Sequence, residues 1–227
     1  TGVAVSLFTP NRVGEFGGRM LFFEPQDRVK AVSATLAGSV AQFTVTTVLG
    51  IVGASFYLLF ADNPIFYAEA WILLISVPVL LMVLYLYFRL SSLAHWIEKR
   101  KWHKKISEAA KILADFTNEQ LFVNLWFSAL RYLVFAFQMG IVLYVLVDFQ
   151  GGFHFWQISY TVFTYFLIQT SVPSIALSEI GVRGMALSVL LLHIVGESEV
   201  AALILAGSLL WFLNIILPAI FGAGFIY

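Results

Sequence analysis

Two short stretches carry charged side chains into the most apolar parts of this sequence. One is Pro10-Asn11-Arg12-Val13-Gly14-Glu15-Phe16-Gly17-Gly18-Arg19. The other is Pro173-Ser174-Ile175-Ala176-Leu177-Ser178-Glu179-Ile180-Gly181-Val182-Arg183. Aligned on Glu15 and Glu179, both read small–Glu–apolar–Gly–x–Arg, with a proline at nearly the same place upstream. Each carboxylate lies four residues N-terminal to its arginine, the favourable order for an ion pair on a helix. Ser178 suits the N-cap of a helix starting there, and Gly14 takes that place in the first copy. Two such helix N-termini add partial positive charge and free N–H groups beside Arg19 and Arg183. A guanidinium fork grips two oxygens at once, so the expected chemistry is anion binding, phosphate above all.

Charge inside a membrane is costly and marks function by default. The plainer alternative is that each Glu–Arg pair neutralises itself and only lets a broken helix exist in lipid. The candidate substrate-binding set is Arg12, Glu15, Arg19, Arg131, Glu179 and Arg183. Gly14, Gly17, Ser178 and Gly181 are the capping and packing positions. No catalytic residue, metal ligand or cofactor site is read. The chain lacks cysteine, and its four histidines, His95, His103, His154 and His193, are scattered without ligand spacing.

The elements that must hold these residues are membrane helices. Of 227 residues, 60% are hydrophobic and only 11% charged, against about a quarter charged in soluble domains. Mean hydropathy is +0.90. The net charge of zero offers no footing for nucleic acid. Residues 30–60, 69–90, 119–147 and 200–221 read as spans, each near or above the ~20 residues a crossing needs. Pro78 is a kink candidate in the second. Ser39, Gln42, Thr46, Gly50 and Gly53 recur at helical steps, as on a helix–helix contact face. Asn124, Arg131 and Gln138 share one face of the third span. Residues 155–172 and 179–196 are shorter apolar segments on either side of Pro173. Glu197-Ser198-Glu199 caps the last span, which holds Asn214.

Within 91–118, Ile106, Ala109, Ala110, Leu113 and Phe116 form an apolar stripe opposite lysines, an amphipathic helix suited to a membrane surface. Seven of the thirteen Lys and Arg fall within 89–118. The positive-inside rule puts that stretch in the cytoplasm. Three spans then separate the two motifs, so the second is inverted relative to the first. Short, proline-broken segments at matching places in inverted halves point to a transporter's central site. The expected fold is an all-α polytopic membrane protein, an inverted repeat with two re-entrant, proline-broken helical hairpins. It is one transmembrane domain over 1–227. Residues 1–90 form the first half, 91–118 a cytoplasmic loop and 119–227 the second half. The first motif has only half of the apolar arm that precedes the second, so further helices are expected upstream of residue 1.

Thr9-Pro10-Asn11-Arg12-Val13-Gly14-Glu15-Phe16 and Pro173-Ser174, with Glu179-Ile180-Gly181-Val182-Arg183, resemble the transmembrane region of lysylphosphatidylglycerol synthases and related stand-alone flippase-like membrane proteins. The resemblance covers most of the chain. It implies re-entrant helices in a bacterial inner membrane and a phospholipid partner, anionic or aminoacylated, moved between leaflets. These residues include no soluble aminoacyl-transferase domain, so synthase activity is not carried over. The expectation is a translocase that is not an enzyme. The rivals are a structural subunit of a larger membrane complex and an intramembrane enzyme acting on a lipid-linked phosphate.

Overall fold

The computed structural model describes residues 23–24, 27–60, 70–99, 110–111, 113–149, 155–172 and 179–224. Among these, all regular structure is helical, with no strand. The elements are α1 (Arg28–Phe60), α2 (Ala70–Phe88), α3 (Leu90–Lys99), α4 (Asn118–Leu146), α5 (Phe155–Ser171) and α6 (Glu179–Val195). A 3-10 turn (Glu197–Glu199), α7 (Val200–Trp211), a π-helical turn (Phe212–Ile216) and α8 (Leu217–Gly224) follow.

Lys30–Phe60, Asn118–Leu146 and Glu197–Ile216 are each long and apolar enough to cross a membrane. Leu74–Phe88 with Leu90–Lys99 makes a fourth if the bent pair is one span. Large apolar side chains cover the outside. On α4 these include Phe122, Trp126, Phe127, Val134 and Phe137, and on α2 Leu74, Leu81 and Met82. Water does not tolerate apolar surface on this scale; lipid does. The chain is a multi-pass membrane protein.

α1 is 33 residues long, about 50 Å at 1.5 Å per residue, more than the ~30 Å hydrocarbon core. Its first turn is polar, with Lys30 Nζ 3.1 Å from an exposed Asp27 carboxylate. Hydroxyls within it bond back to its own carbonyls, as Thr35 does to Ala31 and Thr46 to Gln42, so they enter the apolar layer with their donors satisfied.

The expected contact face on α1 is real at two glycines. A Cβ on Gly50 would lie 2.5 Å from Leu167 Cβ, and one on Gly53 would lie 2.4 Å from Phe163 Cβ and 2.9 Å from the Tyr160 carbonyl. α1 and α5 thus run antiparallel, backbone close to backbone. Ser39 instead faces outward. Tyr57 Oη donates to the Leu190 carbonyl at 3.1 Å, which sets the end of α1 beside α6. The Asp148 N–H donates to the Glu199 carboxylate at 3.2 Å, tying the end of α4 to the start of α7. Glu199 therefore bridges two helices, and its side chain does not cap its own.

These contacts gather the end of α1, the start of α5, the end of α6 and the end of α4 at one level. The other end of α5 reaches only about halfway along α1, beside Gln42 and Thr46. From that depth α6 runs back.

The chain bends at Arg89, where α2 meets α3 at 59°; Pro78 lies inside an unbroken helix. The backbone ladder continues through the bend, from Arg89 N–H to Tyr85 O and from Leu93 N–H to Arg89 O. Ser91 Oγ anchors the turned segment to the Phe116 carbonyl at 2.6 Å. Ala94 and Leu113 bury against Ala37. The described part of the amphipathic stripe therefore packs on protein at Leu113 and Phe116; residues 100–109 lie outside the described residues.

Candidate functional site

Helix α6 begins at Glu179 and carries Arg183 just over one turn in. The Arg183 side chain is 4% exposed, the only arginine or lysine among the buried residues described. Its burial depends on α7. A Cβ on Gly207 would lie 3.2 Å from Arg183 Cβ and 3.3 Å from its backbone carbon, and one on Gly184 would lie 2.9 Å from Ile204. Two glycines, one on each helix, let α6 and α7 meet closely enough to enclose the guanidinium.

Arg131 approaches from α4. Its guanidinium carbon stands 5.3 Å from the centroid of the Phe135 ring, a cation–π contact one turn along the helix. Two turns beyond Arg131, Gln138 accepts a hydrogen bond from Asn214 Nδ2 at 3.2 Å. Asn214 Nδ2 also donates to the Leu210 carbonyl at 3.1 Å. Asn214 sits in the π-helical turn, a feature frequent at functional sites.

Arg131 and Arg183 line one cavity of about 180 Å³. α1 contributes Gln42 and Thr46, α4 Tyr132 and Phe135, and α5 Phe166, Gln169 and Thr170. Leu210, Asn214 and Ile215 close it from the α7 side. No described lining residue is a carboxylate. The Gln169 amide oxygen is buried and lacks a hydrogen-bond partner among the described residues. The Thr46 hydroxyl already donates to Gln42 O at 2.9 Å, so toward the cavity it can only accept. The cavity combines two guanidinium groups, amides and hydroxyls at mid-depth in an apolar bundle. Cations there attract an anion, and the low dielectric strengthens the attraction.

No family model, curated protein or solved structure matches this chain.

Of the residues singled out by sequence, Arg131 and Arg183 come together at this cavity. Glu179 is the first described residue of α6. Arg12, Gly14, Glu15, Gly17, Arg19 and Ser178 lie outside the described residues. A Cβ on Gly181 meets nothing within 4 Å among the described residues, while one on Gly184 would lie 2.9 Å from Ile204. Of the face Asn124–Arg131–Gln138, Arg131 lies on the cavity and Gln138 on Asn214. Sequence reading missed Gln169 and Thr170. They are two polar residues at the end of an apolar helix, and only their position opposite Gln42 and Thr46 gives them meaning.

Proposed function

We propose that this protein binds the phosphate of an anionic or aminoacylated phospholipid in the arginine cavity and passes the lipid between leaflets. The observation that carries the reading is the pairing of Arg131 with the buried Arg183 around one polar cavity at mid-depth. Guanidinium forks suit phosphate oxygens. The Gln169 oxygen, which lacks a hydrogen-bond partner among the described residues, and the acceptor of Thr46 suit hydroxyl or ammonium donors on the same head group.

α5 and α6 form a re-entrant hairpin in this reading, entering from one face and returning from mid-depth. The N-terminal motif forms its inverted counterpart, with 89–118 cytoplasmic by its lysines. Glu15, Arg19 and Arg12 complete the site, and the bacterial inner membrane is its place. This agrees with the motif likeness to flippase-like membrane proteins.

The test is leaflet exchange in proteoliposomes holding the full-length protein. A labelled phosphatidylglycerol should equilibrate faster than in protein-free vesicles, and a phosphatidylcholine should respond less. Arg131→Gln should slow exchange by about tenfold, the loss of one charge-assisted hydrogen bond. Equal scrambling of every head group, or none of any, refutes the reading.

A further inference from the structure

A polar cavity of about 180 Å³ can take a head group but not acyl chains. The chains must leave through an apolar wall. Two of the seams around the cavity close at glycines. α1 and α5 touch backbone to backbone at Gly50 and Gly53, and α6 and α7 do so at Gly184 and Gly207.

α1 and α5 also flank an apolar groove of about 440 Å³, at Val52, Phe56 and Phe60, but the Gly50 contact lies between it and the cavity's Gln42 and Thr46; the seam between α4 and α5 meets the cavity directly. It holds an apolar groove of about 420 Å³, lined among others by Leu133, Ala136, Phe137, Gly140, Phe155 and Val162. A Cβ on Gly140 meets nothing within 4 Å among the described residues. Two hydroxyls stand in the lining, on Tyr144 and Ser159, and the Ser159 hydroxyl donates to the Phe155 carbonyl at 2.8 Å. Groove and cavity adjoin on the same two helices. Tyr132, which lines the cavity, meets Phe163, which lines the groove, edge-on at 5.5 Å. From Phe163 to Phe155 the groove follows α5 for about 12 Å at 1.5 Å per residue. That is close to the ~15 Å depth of one leaflet's hydrocarbon layer, half of ~30 Å.

We propose that the α4–α5 seam is the portal through which an acyl chain of the cavity's lipid lies out into the bilayer. The inference rests on the lipid-phosphate reading and deepens it. It makes the ligand a chain-bearing lipid rather than a free phosphate, and it names the side on which the ligand enters.

The test uses the full-length protein in phosphatidylcholine vesicles with a minor fraction of phosphatidylglycerol carrying a diazirine in one acyl chain. After photolysis, mass spectrometry maps the adducts. Adducts should concentrate on 133–144 and 155–163. Arg131→Gln should lower them about tenfold, because the head group loses a charged anchor. Gly140→Trp should lower them as strongly, because it fills the groove from a position with room at Cβ. The melting temperature of each variant reports whether it folds.

A phosphatidylcholine with the same diazirine sets the level for bulk lipid. Adducts at that level, unmoved by Arg131→Gln, overturn the proposal and make the groove ordinary lipid contact. Protein–protein adducts there overturn it in favour of a second copy. If Arg131→Gln slows exchange while groove adducts persist, the portal fails and the translocase reading stands. Arginine-dependent adducts without any exchange support the portal and remove the translocase.

Discussion

The same substitution should have opposite effects at two glycines of this bundle. At Gly53 an added Cβ would sit 2.4 Å from Phe163 Cβ and 2.9 Å from the Tyr160 carbonyl oxygen, with the Thr164 nitrogen at 3.1 Å. Two carbons need ~3.5 Å or more, so the contact is short by about 1 Å. Two of the three neighbours are backbone and cannot rotate away. Gly53→Ala must push α5 off α1, and overpacking of this kind costs roughly 1–3 kcal/mol. Alanine returns about 0.8–1 kcal/mol of helix propensity, leaving a net loss of up to about 2 kcal/mol by those two figures.

At Gly140 the propensity gain stands alone, because nothing among the described residues lies within 4 Å of the new methyl. Gly140→Ala should stabilise by up to about 1 kcal/mol. A chain of this length shifts its melting temperature by roughly 2–4 °C per kcal/mol. Thermal unfolding in one detergent should then place Gly53→Ala several degrees below the wild type and Gly140→Ala slightly above it. A Gly53→Ala protein stabilised as much as Gly140→Ala would mean that α1 and α5 do not touch there. The cavity, which depends on that contact to bring Gln169 opposite Gln42, would lose its geometry.

Three further outcomes follow from single contacts. Tyr57→Phe removes the 3.1 Å bond to the Leu190 carbonyl and should cost about 1 kcal/mol, read as a fall of a few degrees in the same melt. Asn214→Leu strips Gln138 of its partner and should destabilise by roughly 1–3 kcal/mol. Adding Gln138→Leu should recover part of that loss, and a double mutant worse than the sum of the singles would contradict the pairing. A cysteine at Ser92 should react with a membrane-impermeant reagent from the side opposite to cysteines at Asn63, Gly152 and Ser198. Labelling of Ser92 and Ser198 from one side would break the inverted arrangement.

Helix positions were legible because apolar runs in this chain are long and their ends polar. The run after Arg28, the run after Thr117 and the run after Glu199 each became a helix near the expected limits. Thr117-Asn118-Glu119-Gln120 even announces its start by a reciprocal cap. Gln120 N–H donates to Thr117 Oγ1 at 3.2 Å, and Thr117 N–H donates to Gln120 Oε1 at 3.0 Å. The bend was misplaced for a physical reason. Pro78 removes one donor from a helix, but the chain turns where α2 gives way to amphipathic α3 and Ser91 and Ala94 find partners on other segments. No local pattern records those partners. Arg131 and Arg183 stood out as charges in apolar runs. Their meeting depends on the antiparallel contact of α1 with α5 and on Gly207 facing Arg183, which lie far apart in sequence.

Two interruptions of regular helix converge on the cavity. α5 stops beside it, and the π-helical turn of Phe212–Ile216 runs past it. A membrane interior tolerates irregular backbone where it lines a cavity or is buried in protein, because elsewhere each freed N–H or carbonyl lacks a partner. The π-helical turn meets that demand locally, with Asn214 bonding both Gln138 and the Leu210 carbonyl. A bundle built only for rigidity would have no use for two such departures at one depth around two arginines. Their coincidence argues that the cavity, rather than the seal around it, is what the polar residues serve.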